Sequence, residues 1–257
     1  MDEQKPTRKD KLKKGIYILP NAFTTLNIFF GFYAIVSAIG THFTSAAIAI
    51  LIAVIFDSLD GKIARATHTT SQFGIEYDSL SDLVSFGLAP SLMMYMWVLE
   101  PMNMNKSGWL AAFLFTTCGA LRLARFNAMT DENPSPHFMG LPIPAAAAMC
   151  ATTVLFCTKY SIDVADFPVV FLVGLYTLSF LMVSTIKYES FKKAELFQKM
   201  NFNVLVKILL VFIVIAQKPQ LLLFAIVLTY VASGPLHSFY VLIRSWHEKK
   251  TIKTHKL

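Results

Sequence analysis

Apolar residues in this chain gather into long runs separated by short polar connections. Coarse segmentation gives eight runs, near residues 17–40, 43–64, 74–99, 107–127, 142–159, 167–187, 203–217 and 219–244. A run of about 20 apolar residues crosses a bilayer core of about 30 Å at a rise of about 1.5 Å per residue. Without water, each backbone amide must find its partner inside the segment, so such runs become helices. The pattern predicts an all-α polytopic membrane protein of about eight transmembrane helices. Only Lys218 and Pro219 separate the last two runs, so a single long kinked helix is the alternative reading there.

Composition supports the same class. Of 257 residues, 55% are hydrophobic and 15% charged, against about 45–50% and about 25% in a soluble domain. The first run, Ile16 to Gly40, is longer than a signal-peptide core and is expected to be a retained helix. The short connections leave no room for a second globular core. Residues 1–15 are expected to form a basic cytoplasmic juxtamembrane segment, and residues 16–257 a single transmembrane catalytic domain.

Charge orients the chain. If the N-terminus is cytoplasmic, 19 Lys and Arg residues fall on the inner side, and Lys106, Lys159 and Lys218 alone on the outer, with Lys207 inside a run. That asymmetry predicts a multi-pass protein of the cytoplasmic membrane with both termini inside, which requires an even number of spans. The net charge of +7 lies beside apolar runs, which suits an anionic lipid surface and not nucleic acid. Cys118, Cys150 and Cys157 sit within apolar runs and offer neither a disulfide framework nor zinc-ligand spacing.

Candidate chemistry concentrates between Asp57 and Asp82. The stretch reads Asp57-Ser-Leu-Asp60-Gly61-Lys-Ile-Ala64-Arg65, then eight residues, then Gly74-Ile-Glu-Tyr-Asp78-Ser-Leu-Ser-Asp82. Spacings of three and four put each aspartate pair on one helix face. The first pair closes the second run and the second pair opens the third, so a tight cytoplasmic turn would bring the four carboxylates together. Four clustered carboxylates at a membrane boundary need positive charge, and hard divalent cations favour oxygen ligands. Two Mg²⁺- or Mn²⁺-like ions about 3.5–4 Å apart would serve both the carboxylates and a diphosphate. Gly61 and Gly74 remove side chains where a ligand could approach the backbone.

The pattern D-x-x-D-G-x-x-A-R, eight residues, G-x-x-x-D-x-x-x-D resembles the signature of the CDP-alcohol phosphatidyltransferases. The resemblance implies transfer of a phosphatidyl or related group from a CDP-linked donor to an alcohol, with release of CMP, by a homodimer. It implies that Asp57, Asp60 and Asp78 hold the metal pair, and that Asp82 contacts metal and acts as the general base. Gly61, Ala64, Arg65 and Gly74, with the three metal-binding aspartates, match the part that holds CDP. Asn21 and Thr24 belong to a first-helix stretch, Pro20-Asn21 with Thr24, Thr25 and Asn27, which is similar to the family's nucleotide-approaching segment.

Further blocks are similar to the phosphatidylserine synthase branch of that family: Phe73 to Pro90, Cys118 to Asn127, Phe138 to Ala146, and Met182 to Tyr188. Glu189 departs from the expected proline. This implies CDP-diacylglycerol and L-serine as substrates. A serine carboxylate needs a cation, and Arg holds carboxylates bidentately. Arg122, Arg125, Asn127 and Lys187 are therefore the candidate acceptor-binding residues. Ser184 is a weaker candidate, and His137 is read as a solvated loop residue. Alternative acceptors are glycerol 3-phosphate or inositol phosphate. A divalent-cation transporter is the reading from another class; it would place aspartates at the bilayer midplane, and here they cluster at one boundary.

Overall fold

A computed structural model describes residues 8–67, 69, 71–129, 137–189 and 218–254. The molecule is a helical bundle. Its helices are α1 (Arg8–Ile39), α2 (Phe43–Ala66), α3 (Gln72–Leu99), α4 (Asn105–Met129), α5 (Ile143–Lys159), α6 (Pro168–Val183) and α7 (Pro219–Thr254). Two three-residue strands, β1 (His137–Met139) and β2 (Lys187–Glu189), pair antiparallel. His137 is thus in strand backbone, opposite Glu189, and not in an irregular loop.

Among the described residues, five helices are long and apolar enough to cross a membrane: Pro20–Ile39, Phe43–Ala66, Gln72–Leu99, Lys106–Ala128 and Pro219–Phe239. Helices α5 and α6 are apolar and shorter, at 17 and 16 residues, at the lower edge of the range of about 17–25 for a crossing. The expected seventh run, 203–217, lies outside the described residues. Part of the basic head is helical, because α1 starts at Arg8, twelve residues before Pro20.

Small residues draw the helices together and large ones face outward. Helices α1 and α2 pack together, and Ala34 and Ala38 of α1 and Ala46, Ala47 and Ala53 of α2 are all buried. Phe29, Phe32 and Ile39 of α1 and Ile48 and Ile55 of α2 are exposed. In lipid that inversion is expected, since close backbone approach and not water exclusion holds helices together. Gly31 is the extreme case: a Cβ there would lie 2.7 Å from the Cα of Ser85 in α3. Ser81 and Ser85, one turn apart, donate to the carbonyls of Thr24 (3.2 Å) and Asn27 (3.0 Å) and so stitch α3 to α1.

Helix α3 is irregular directly after Asp82. Residues Leu83–Leu88 and Tyr95–Leu99 wind as π-helix. Pro90 has no amide hydrogen, and the wide turn ahead of it closes with the Ala89 amide on the Val84 carbonyl. Just ahead of α5, Gly140 adopts φ of +79°, which only glycine takes readily. Its amide donates to Ile186 (2.8 Å), and the Leu141 amide donates to Leu181 (2.9 Å).

Candidate active site

The site forms where α2 ends and α3 begins. Only Thr67 to Ser71 separate the two helices, so the polar end of α2 and the polar start of α3 are held close along the chain. Ser71 caps α3 by accepting from the Gly74 amide at 3.0 Å, the interaction that a helix N-terminus needs. Asp57 and Asp60 come from the last three turns of α2, and Asp78 and Asp82 from the first three of α3.

Asp57, Asp60 and Asp78 each present an oxygen within 4.8 Å of the others. Asp60 is 5% exposed, and Oδ1 of Asp78 is buried with no hydrogen-bond partner. Such an orphaned acceptor in a cluster of carboxylates fits a hard cation, and this triad could coordinate a divalent ion. Asp82 is not one of the triad. Its carboxyl meets that of Asp57 and accepts from Nδ2 of Asn27 at 3.1 Å.

Helix α1 supplies the wall behind the carboxylates. Thr24 donates to Oδ2 of Asp60 at 3.0 Å, and Asn27, wholly buried, takes Asp82. Oδ1 of Asn21 would lie 3.6 Å from a Cβ at Gly74. Thr25 and Tyr77 share a hydroxyl hydrogen bond of 3.1 Å. Arg65 folds back over its own helix, where its guanidinium would touch a Cβ at Gly61 at 3.5 Å. Ala64 is half-buried on the same stretch of α2.

The candidate acceptor residues separate into distinct environments. Arg122 of α4 is 8% exposed, within electrostatic reach of Asp82 and Asp57, and its Nε has no partner. Arg125, one turn on, is committed elsewhere: it donates to the carbonyls of Val183 (3.2 Å), Ser184 (3.3 Å) and Met139 (3.0 Å). Those bonds satisfy carbonyls at the α6 C-terminus, which have no donor within the helix. Asn127 donates to Ser79 at 3.0 Å, on the α3 turn between Asp78 and Asp82. Lys187 pairs through its backbone with Met139 in the two-stranded sheet. The three cysteines are free and buried.

Sequence reasoning set Asn27 in the first-helix stretch that approaches the nucleotide and missed its bond to Asp82. A signal existed: Thr24, Asn27 and Gly31 repeat at intervals of three and four within an apolar run, which places polar and small residues on one helix face. Tyr230 of α7 was missed too. It lies within electrostatic reach of Arg122 and 5.7 Å, ring to ring, from Tyr188. Nothing in the local sequence around residue 230 signals that contact.

Known proteins resemble this chain over much of its length. The chain is 41% identical to CDP-diacylglycerol–serine O-phosphatidyltransferase of Helicobacter pylori over 198 residues, covering 77% of this chain and 83% of the relative. The enzyme of that name from Methanocaldococcus jannaschii is 38% identical over 69% of this chain and 77% of its own. The one from Bacillus subtilis is 36% identical over 68% of this chain and 92% of its own. The family model described as CDP-alcohol phosphatidyltransferase matches residues 17–183, a stretch that contains all four aspartates and the α1 wall behind them. With the carboxylate cluster built as that signature requires, the chain belongs to the CDP-alcohol phosphatidyltransferase family.

Proposed function

We propose that this enzyme transfers the phosphatidyl group of CDP-diacylglycerol to the hydroxyl of L-serine, giving phosphatidylserine and CMP. The observation that carries the reading is the carboxylate cluster at the α2–α3 junction, in a chain whose relatives are named for this reaction. Asp57, Asp60 and Asp78 would hold a pair of Mg²⁺ or Mn²⁺ ions, and Asp82 would reach one of them. Bound there, the cations supply charge neutralisation for the diphosphate and the departing phosphate.

The chain's own residues do the rest. Thr24 holds the Asp60 carboxylate in place, and Asn27 holds that of Asp82. Asn21, Thr24, Gly61, Ala64, Arg65 and Gly74 surround the cytidine diphosphate, with the glycines leaving room for it. Asp82 accepts the serine hydroxyl proton as general base. The serine oxygen bonds to the phosphatidyl phosphorus, the bond from that phosphorus to the bridging oxygen breaks, and CMP leaves as the anion. Attack is direct: the hydroxyls of Ser79 and Ser81, the serines that flank Asp78 and Asp82, are engaged with Asn127 and with the Thr24 carbonyl. A site at the end of apolar helices leaves the acyl chains in lipid and the nucleotide in water.

Arg122 and Lys187 are the cations we assign to the serine carboxylate. Arg125 and Asn127 support that side indirectly, since their hydrogen bonds go to backbone carbonyls and to Ser79. We further propose one catalytic domain of eight spans, a homodimer, with both termini and the active site cytoplasmic. Purified protein supplied with CDP-diacylglycerol and Mg²⁺ tests the function. CMP release should depend on L-serine and not on glycerol 3-phosphate or inositol phosphate. Release with a phosphate-bearing acceptor alone would assign the acceptor to that class.

A further inference from the structure

Among the described residues, three buried side-chain polar atoms have no hydrogen-bond partner, and all three belong to the carboxylate site. They are Oδ1 of Asp78, Oδ1 of Asn27 and Nε of Arg122. Buried polar groups are nearly always satisfied, so an orphan next to an active site points to something that completes it. Asp78 is accounted for by cation binding. The other two are an acceptor and a donor, and both flank Asp82: Asn27 by a 3.1 Å hydrogen bond, Arg122 by charge.

The orientation of the Asn27 amide follows from chemistry. The amide turns its nitrogen to Asp82, as a donor to a carboxyl oxygen, and its oxygen away. The backbone carbonyl of Asn27 receives Ser85, and the missing side chain of Gly31 lets α3 lie close enough for that bond. Both ends of Asn27 are thus held, and its oxygen is presented beside the Asp82 carboxylate with nothing to accept.

We propose that Asn27 is a specificity-determining residue for the acceptor, its Oδ1 receiving the ammonium group of the amino acid while Nε of Arg122 takes the carboxylate. The inference rests on the reading of L-serine as acceptor and adds to it the group that recognises the amine. In L-serine the ammonium and carboxylate share one carbon, adjacent to the carbon that carries the hydroxyl. Asp82, which Asn27 hydrogen-bonds and Arg122 feels by charge, is the group that takes the hydroxyl proton. An acceptor bearing a phosphate would answer Arg122 but bring no cation to Asn27.

The test compares residue and ligand group together. Full-length enzyme with CDP-diacylglycerol and Mg²⁺ is assayed for CMP release with L-serine, with 3-hydroxypropionate (no ammonium) and with ethanolamine (no carboxylate). Asn27→Ala and Asn27→Ser are compared with wild type. Wild type should favour serine over 3-hydroxypropionate by about 100-fold or more in kcat/KM, as expected when a buried polar atom is left unpaired. In both variants that preference should fall at least about tenfold, mainly through a higher serine KM, while the preference over ethanolamine holds.

If Asn27 only orients Asp82, or if a buried water occupies its oxygen, turnover will drop equally for serine and 3-hydroxypropionate. An unchanged ratio overturns the proposal. Should neither variant fold, wild type that uses 3-hydroxypropionate as well as serine overturns it too. Wild type with no serine-dependent release removes the serine reading itself, which the other arms leave standing.

Discussion

The hydroxyl of Tyr188 donates to the backbone carbonyl of Val231 at 3.1 Å, and Pro235 is the reason that carbonyl is free. In a regular helix it would accept from the amide four residues on, and proline has none. Gly234 leaves space for the Tyr188 ring, which a Cβ there would meet at 2.6 Å from Cε1. The strand after α6 is thereby fastened to α7, and α7 brings Tyr230 towards Arg122.

Tyr188→Phe should therefore cost about 1–2 kcal/mol, the penalty of a buried carbonyl left unmatched. Pro235→Ala restores an amide donor to the helix, so Tyr188→Phe should cost less in that background. Thermal unfolding of the four proteins in one detergent checks the coupling. Additive losses would mean that the Tyr188 hydroxyl does not replace the missing helical donor.

Gly31 holds α1 against α3, and the site depends on that distance. Gly31→Ala should destabilise the protein by about 1–3 kcal/mol, the usual range for overpacking. Adding Ser85→Ala should not relieve it, because the Cα of Ser85 itself would lie 2.7 Å from the new Cβ. Asn27 and Asp82 are carried by the same two helices, so turnover should fall along with stability. Wild-type turnover and Tm in Gly31→Ala would show that the helices part without cost.

Cation dependence follows from the Asp57, Asp60 and Asp78 cluster. EDTA should abolish CMP release, and Mg²⁺ or Mn²⁺ should restore it. Asp57→Ala, Asp60→Ala and Asp78→Ala should each weaken cation and donor binding together, since the diphosphate shares the cations. Isothermal titration with Mn²⁺ and with CDP-diacylglycerol on each variant separates the two. Full turnover by EDTA-washed enzyme would rule out metal participation.

Much of this site was legible in sequence because it is local. Asp57, Asp60, Asp78 and Asp82 sit at helical spacings on two helices joined by a five-residue connection, so period and loop length suffice to bring them together. Arg125 shows where that reasoning stops. Its position beside Arg122 suggests a shared role, but one turn rotates it onto the carbonyls of Val183 and Ser184. The bounds of α5 were legible, 142–159 expected against Ile143–Lys159, whereas α6 was read four residues too far, to 187 against Val183. The approach of Tyr230 to within electrostatic reach of Arg122 depends on the docking of α7, about a hundred residues away in sequence, and no periodicity encodes it.

Asp82 can be distinguished from the cation ligands by one substitution. Asp82→Asn keeps the size of the group and its acceptor oxygen, so the 3.1 Å bond from Asn27 can persist. What is lost is the capacity to take a proton. If Asp82 chiefly serves as base, CDP-diacylglycerol affinity should stay within about tenfold of wild type, or about 1.4 kcal/mol. The single-turnover rate should fall by about 10²–10⁴, the usual contribution of general-base catalysis. The triad of Asp57, Asp60 and Asp78 remains intact in this variant and should still hold the donor. Both quantities are measured on the same preparation, beside Asp57→Ala. A collapse of donor affinity to the level of Asp57→Ala would make Asp82 mainly a cation ligand and leave the proton acceptor to be sought elsewhere in the cluster.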